Sequence, residues 1–273
     1  MRIHLFTTLA LVTIAACGDD TGSITATAYG EELIEEGIPA SAFVDGWTVS
    51  FDTFVVSIGN AKAQAGHDHD EVGFDAFYVV DLAKGSNGEG HELATFDTPG
   101  GTYDHYGYQI EPDANATNVN ADEADVTAMK AGGYSMLVRG TASKGTDTKA
   151  FDWGFTMRLA YAHCEAGMTI DGDDVAMQAT IHADHLFYDD AVSDEPNVAF
   201  DLFAEADTNA DNAVTLDELA AKDIRTQTRY QVGSTRDVEG KAITNLRQFL
   251  EYQTTTVGHI NGEGHCEDTI ATR

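Results

Sequence analysis

Over most of the chain the apolar positions recur at every second residue, the period of a strand with one face buried. Ser23 to Tyr29 alternates in this way and predicts a first strand. Trp47, Val49 and Phe51 alternate on one phase, and Phe54, Val56 and Ile58 on the other. A long strand with a bulge at Asp52-Thr53 accounts for the slip, because one extra residue exchanges the two faces. Phe77 to Leu82, Thr102 to Ile110, Tyr134 to Ala142, Lys149 to His163 and Asp174 to His182 are further strand candidates, separated by Gly, Asp and Lys turn clusters. Glu31 to Gly37 predicts one helical turn, and Ala124 to Ala131 a short helix. Many strands and few helical periods predict a mainly β fold, an antiparallel sandwich or barrel over residues 23–190.

From Asn197 the period changes. Val198, Leu202 and Phe203 predict a helix, Thr215 to Ile224 a second, and Ile243, Leu246, Phe249 and Leu250 a later amphipathic one. Residues 191–273 are therefore expected to form an α-helical appendage to the β domain, ending in a tail that contains Cys266.

Between the first two of these helices runs Asp207 to Glu218, DTNADNAVTLDE. Oxygen-bearing residues fall at its positions 1, 3, 5, 9 and 12 (Asp207, Asn209, Asp211, Thr215 and Glu218), with the Ala213 carbonyl at position 7. That is the spacing with which a twelve-residue loop surrounds a calcium ion, which needs about six to eight oxygens. The stretch resembles an EF-hand loop, with one departure. Position 6 is Asn212 where glycine is usual, and asparagine is the next most tolerant of the left-handed backbone required there. EF-hands commonly pair; the segment Arg236 to Arg247 could supply a degenerate partner through Ile243, or could be a plain loop and helix. The expected role of calcium is structural.

The first residues, MRIHLFTTLALVTIAAC, have a short positive end at Arg2 and His4 and an apolar run too short to span a bilayer. The ending Ile14-Ala15-Ala16-Cys17 resembles the lipobox of bacterial lipoproteins. The resemblance implies a signal peptide over 1–16, lipidation of Cys17, a polar tether over 17–22 and attachment to a membrane of the cell envelope. Gly18 after that cysteine points toward the outer membrane, facing periplasm or exterior. Acyl chains on one residue would give stable anchoring.

Charge then narrows the partners. The 273-residue chain carries 46 Asp and Glu against 15 Lys and Arg, a formal net charge of −31. Such a surface repels nucleic acid and suits cations. Of three cysteines, lipidation uses Cys17, so Cys164 and Cys266 are expected to pair in an oxidising compartment.

Nine histidines follow the signal segment. His163 precedes Cys164 and His265 precedes Cys266, so a disulfide would bring these imidazoles together. His182, Asp184 and His185 stand where the last predicted strand ends. A zinc or copper site is expected from His163, His182, Asp184, His185, His259 and His265, against the alternative of scattered polar residues; His67-x-His69 is a looser candidate. Gly-x-Ser-x-Gly and phosphate loops are absent from the sequence. The expected function is extracytoplasmic metal binding without catalysis. The alternatives are a calcium-stabilised structural or adhesion module that binds protein or glycan, and a hydrolase whose acids the sequence does not single out.

Overall fold

The computed structural model describes residues 21–66 and 70–272. The expected signal segment, Cys17, His67 and His69 lie outside the described residues.

The elements run β1 (Thr21–Tyr29), α1 (Glu31–Glu35), β2 (Thr48–Gln64), β3 (Val72–Gly73), β4 (Phe77–Asp81), β5 (His91–Pro99), β6 (Gly101–Ile110), β7 (Thr117–Asn118) and α2 (Glu123–Gly132). There follow β8 (Met136–Lys144), β9 (Asp147–Phe155), β10 (Arg158–Ile170), β11 (Asp174–Ile181) and a 3-10 turn over Ala183–Phe187. The last are α3 (Asp201–Ala204), β12 (Ala213–Val214), α4 (Leu216–Ala221), α5 (Leu246–Gln253), β13 (Gly258–Ile260) and β14 (Cys266–Thr272).

The strands form two sheets in a sandwich-like arrangement. One has four strands in the order β13-β11-β1-β5. The other follows β12-β9-β8-β2-β6-β10-β14, with β3, β4 and β7 off that path. The 17-residue β2 is its spine, pairing with β3, β4, β6 and β8. The shift in β2 register falls between Phe51 and Thr53, where the hydrophobic phase slips. Both sheets are mixed rather than wholly antiparallel. β1 runs parallel to β11, and β12 parallel to β9; these partners are far apart in sequence, so no hairpin turn dictates their direction.

Two expectations need correction, and two strands went unpredicted. Lys149 to His163 is two strands, β9 and β10, broken at Thr156-Met157. The entry helix is only the four residues of α3, and Val198 instead bridges to Phe43 and Tyr188. β5 and β14 had no clear alternation to announce them. In β5 only Leu93 and Thr98 are buried.

Residues beyond 190 do not keep a separate core. Phe200, Phe203, Leu219 and Phe249 join Ile24, Phe54, Trp153 and Phe187 in one buried cluster. Trp153 lies 5.9 Å from Phe203 and Phe187 lies 5.7 Å from Phe200, ring centre to ring centre. β13 extends the small sheet and β14 extends the large one. Cys164 and Cys266, opposite each other across β10 and β14, form a disulfide.

Candidate metal sites

The C-terminal end of β11 carries the first candidate. β11 closes with Ile181, and the His182 amide donates to the Val257 carbonyl at 2.9 Å. The chain then tightens into the 3-10 turn, which places Asp184 and His185 beside His182. β13 lies antiparallel along β11 with His259 opposite Thr180. Two features fix it there. The Tyr108 hydroxyl donates to the His259 carbonyl at 3.0 Å. Gly258 sits so close to the Tyr161 and Tyr108 rings that a Cβ would lie 2.3 Å from the former. The turn after β13, with Asn261 and Gly262 at φ 48° and 85°, folds Glu263 back onto His182 and leads to His265.

The result is a knot of imidazoles. The His182 ring centre is 5.3 Å from that of His185 and 4.3 Å from that of His259. His185 and His259 are 5.3 Å apart, and His259 and His265 5.2 Å. His182 and His259 are 5% and 6% exposed. His182, His259 and Glu263 each offer a ligand atom within 4.8 Å of the others, and so do His182, Asp184 and His185.

The hydrogen bonds define which nitrogens are free. His182 Nε2 is 3.3 Å from the Gly262 carbonyl, which can only accept. Nε2 therefore carries a proton, and Nδ1 faces Glu31 Oε2 at 3.7 Å. Thr256 Oγ1 spends its proton on the Gln253 carbonyl at 2.9 Å, so His185 Nδ1 donates to it at 3.1 Å and Nε2 is left basic. His259 Nδ1 is buried with no hydrogen-bond partner, as is Asp184 Oδ1. Buried polar atoms without partners are rare, and each calls for a cause such as an ion.

Electrostatics keep His185 and His259 neutral at pH 7. Burial, reinforced by His182 and the neighbouring imidazoles, lowers both His185 and His259 to about 4. Burial raises Asp184, against the pull of His182 and of the Tyr188 hydroxyl that donates to its Oδ2 at 3.1 Å. Burial likewise raises Glu31, opposed by His182 and assisted by Glu263 and Asp184. Neutral imidazoles and adjacent carboxylates are the donor set of zinc and related ions. Zinc at about 2.0–2.1 Å from each ligand sets them roughly 3.3 Å apart, against separations of up to 4.8 Å within each trio here.

Of the predicted ligands, His182, Asp184, His185, His259 and His265 come together and His163 does not. His163 has φ 51° at an irregularity of β10 between Tyr161 and Cys164. The disulfide does align the two backbones, but His163 lies 5.7 Å from His105 in a different cleft, with Lys62 and Tyr161. Glu263, Glu31 and Tyr188 were not singled out from the sequence. Glu263 alone had a local signal, lying between His259 and His265.

The second candidate is Asp207 to Glu218. Asn212 has φ 64°, the left-handed conformation expected at that position. Asp207 Oδ2 accepts from the Asn212 amide at 3.1 Å and from Lys149 Nζ of β9. That ammonium holds the Asp207 carboxyl below its ordinary range. Asn209 Oδ1 accepts from the Asp211 amide and Asp211 Oδ1 from the Ala213 amide, at 2.8 and 2.9 Å. Thr215 and Glu218 form a reciprocal cap at the start of α4. Asp207 Oδ1 and Glu218 Oε1, at the first and last positions, are buried and unpartnered. Val214 pairs with Phe151 of β9 rather than with Ile243, and its carbonyl accepts from Trp153 Nε1 at 2.7 Å. The sheet edge therefore takes the place that a second calcium loop would occupy in a paired EF-hand.

This mainly β, mixed-sheet protein with a buried histidine knot matches no known family model, no curated protein and no solved structure.

Proposed function

We propose that this is a metal-binding protein of the bacterial cell envelope, held to the membrane through lipidated Cys17. A transition-metal ion, zinc or copper, would sit among His182, His185 and His259, with Asp184 and Glu263 as carboxylate ligands. Calcium would occupy the EF-hand-type loop as a structural ion. The convergence of three imidazoles, two of them held neutral by their surroundings and one with an orphaned Nδ1, carries the reading. His265, next to the disulfide, completes the rim of the site.

The test is elemental analysis of protein purified without added metal, with the His182→Ala variant beside it. The expected outcome is stoichiometric zinc or copper in the wild type. His182 belongs to both ligand sets, so its loss should weaken binding by more than the 10–100-fold typical of supporting residues. Calcium alone would refute the transition-metal site and leave the alternative, a calcium-stabilised module that binds protein or glycan. For the anchor, Cys17→Ser should move the protein from the membrane to the soluble fraction.

A further inference from the structure

The loop's first ligand position already has a cation beside it. Lys149 reaches Asp207 from β9, the strand that pairs with the loop through Ala150–Ala213 and Phe151–Val214. The Asp207 side chain is wholly enclosed and that of Lys149 is 16% exposed. The two carboxylate oxygens are divided between two tasks. Oδ2 is held by the Lys149 ammonium and the Asn212 amide, while Oδ1 is buried with no partner. Glu218 repeats the division: Oε2 accepts from the Thr215 amide and hydroxyl, and Oε1 is left over.

Resting on the calcium reading above, we propose that Lys149 sets the loop's calcium affinity: it holds the first ligand in place and supplies a resident positive charge that the ion must tolerate. The two effects oppose each other, and magnitudes decide the sign. Orienting one carboxylate that the Asn212 amide already holds adds little. A fixed unit charge one carboxylate away from a divalent ion repels it by an amount worth about tenfold in affinity even at the dielectric of water. Repulsion therefore wins, and Lys149 weakens the site. A loop tuned in this way fits surroundings rich in calcium, where dissociation constants of about 10⁻⁴–10⁻³ M still give occupancy. Without calcium the ammonium offsets part of the loop's negative charge, so the loop keeps its place on β9.

The substitution Lys149→Gln preserves a hydrogen-bond donor toward Oδ2 and removes the charge. Calcium titrations by calorimetry, with terbium luminescence as a second probe, would compare wild type, Lys149→Gln and Lys149→Arg. The expected result is about tenfold tighter calcium binding for Lys149→Gln, with Lys149→Arg close to wild type. Lys149→Gln should also show a larger rise in melting temperature on adding calcium, because its empty loop has lost a counter-charge. Equal calcium affinities in wild type and Lys149→Gln would overturn the role of Lys149 while leaving the calcium site intact. Absence of calcium binding in all three proteins would overturn the calcium reading itself.

Discussion

Removing the disulfide gives a prediction whose size follows from chain length. Cys164 and Cys266 are separated by 102 positions. In the loop-entropy model, closing about 100 residues removes roughly 4.7 kcal/mol of conformational freedom from the unfolded chain. The bond joins β10, the last strand but one on the path of the large sheet, to β14 at its edge. Replacing both cysteines by alanine avoids a free thiol and leaves Cys164, buried in the core, a side chain of tolerable size. The destabilisation expected is about 4–5 kcal/mol, a melting temperature lower by roughly 10–20 °C for a domain of this size. Thermal unfolding by circular dichroism at pH 7, with chelator present, would measure it. Hydrogen exchange adds a spatial check: β14 amides should lose protection before those of β2. A melting temperature within about 2 °C of wild type would refute the reasoning, since it would mean that the bridge constrains little of the unfolded chain.

Acid should weaken the metal-free protein. His185 and His259 are lowered to about 4 in the folded state, against about 6.5 unfolded. The unfolded chain therefore binds more protons between those values, so stability is full above about pH 6.5 and falls as pH drops toward 4. With part of each shift shared between the two rings and part screened by water, the loss is about 2–4 kcal/mol; urea titrations across that range would show it, and a flat profile would contradict the burial of neutral rings. Trp153→Phe should cost about 1–3 kcal/mol in the same assay, because the Val214 carbonyl loses its buried donor; no change would mean that water replaces the indole.

The parts of the fold that could be read from the sequence are those with local causes. The bulge near Thr53 shows in the exchanged phase of Phe51 and Phe54, and α2 falls where a short helix is expected over Ala124 to Ala131. Asn212 has the left-handed conformation that the spacing of the stretch predicts for that position. Cysteine parity was enough to pair Cys164 with Cys266. What depends on distant partners could not be read. The parallel pairing of β1 with β11 leaves no trace in either strand. β14 was hidden because its alternation is weak and its partner, β10, lies some hundred residues away. The bridge between Cys164 and Cys266 predicts that His163 and His265 lie together. The irregularity at Tyr161–Cys164 leaves His163 beside His105 instead. Glu31 reaches His182 from α1, which no spacing near either residue could announce.

The two-residue β12 also affects how one molecule meets another. Without it β9 would be the last strand of the large sheet, a nine-residue edge carrying Phe151, Trp153 and Phe155. An uncovered edge of that kind recruits strands from other chains. β12 covers Ala150 and Phe151, the Asn212 carbonyl takes the Ala150 amide at 2.8 Å, and Lys149 sets a charge just before them. The segment proposed to hold calcium is thus also the one that covers this part of the sheet edge. A chain with this segment deleted would tend to assemble edge to edge, faster as its concentration rises.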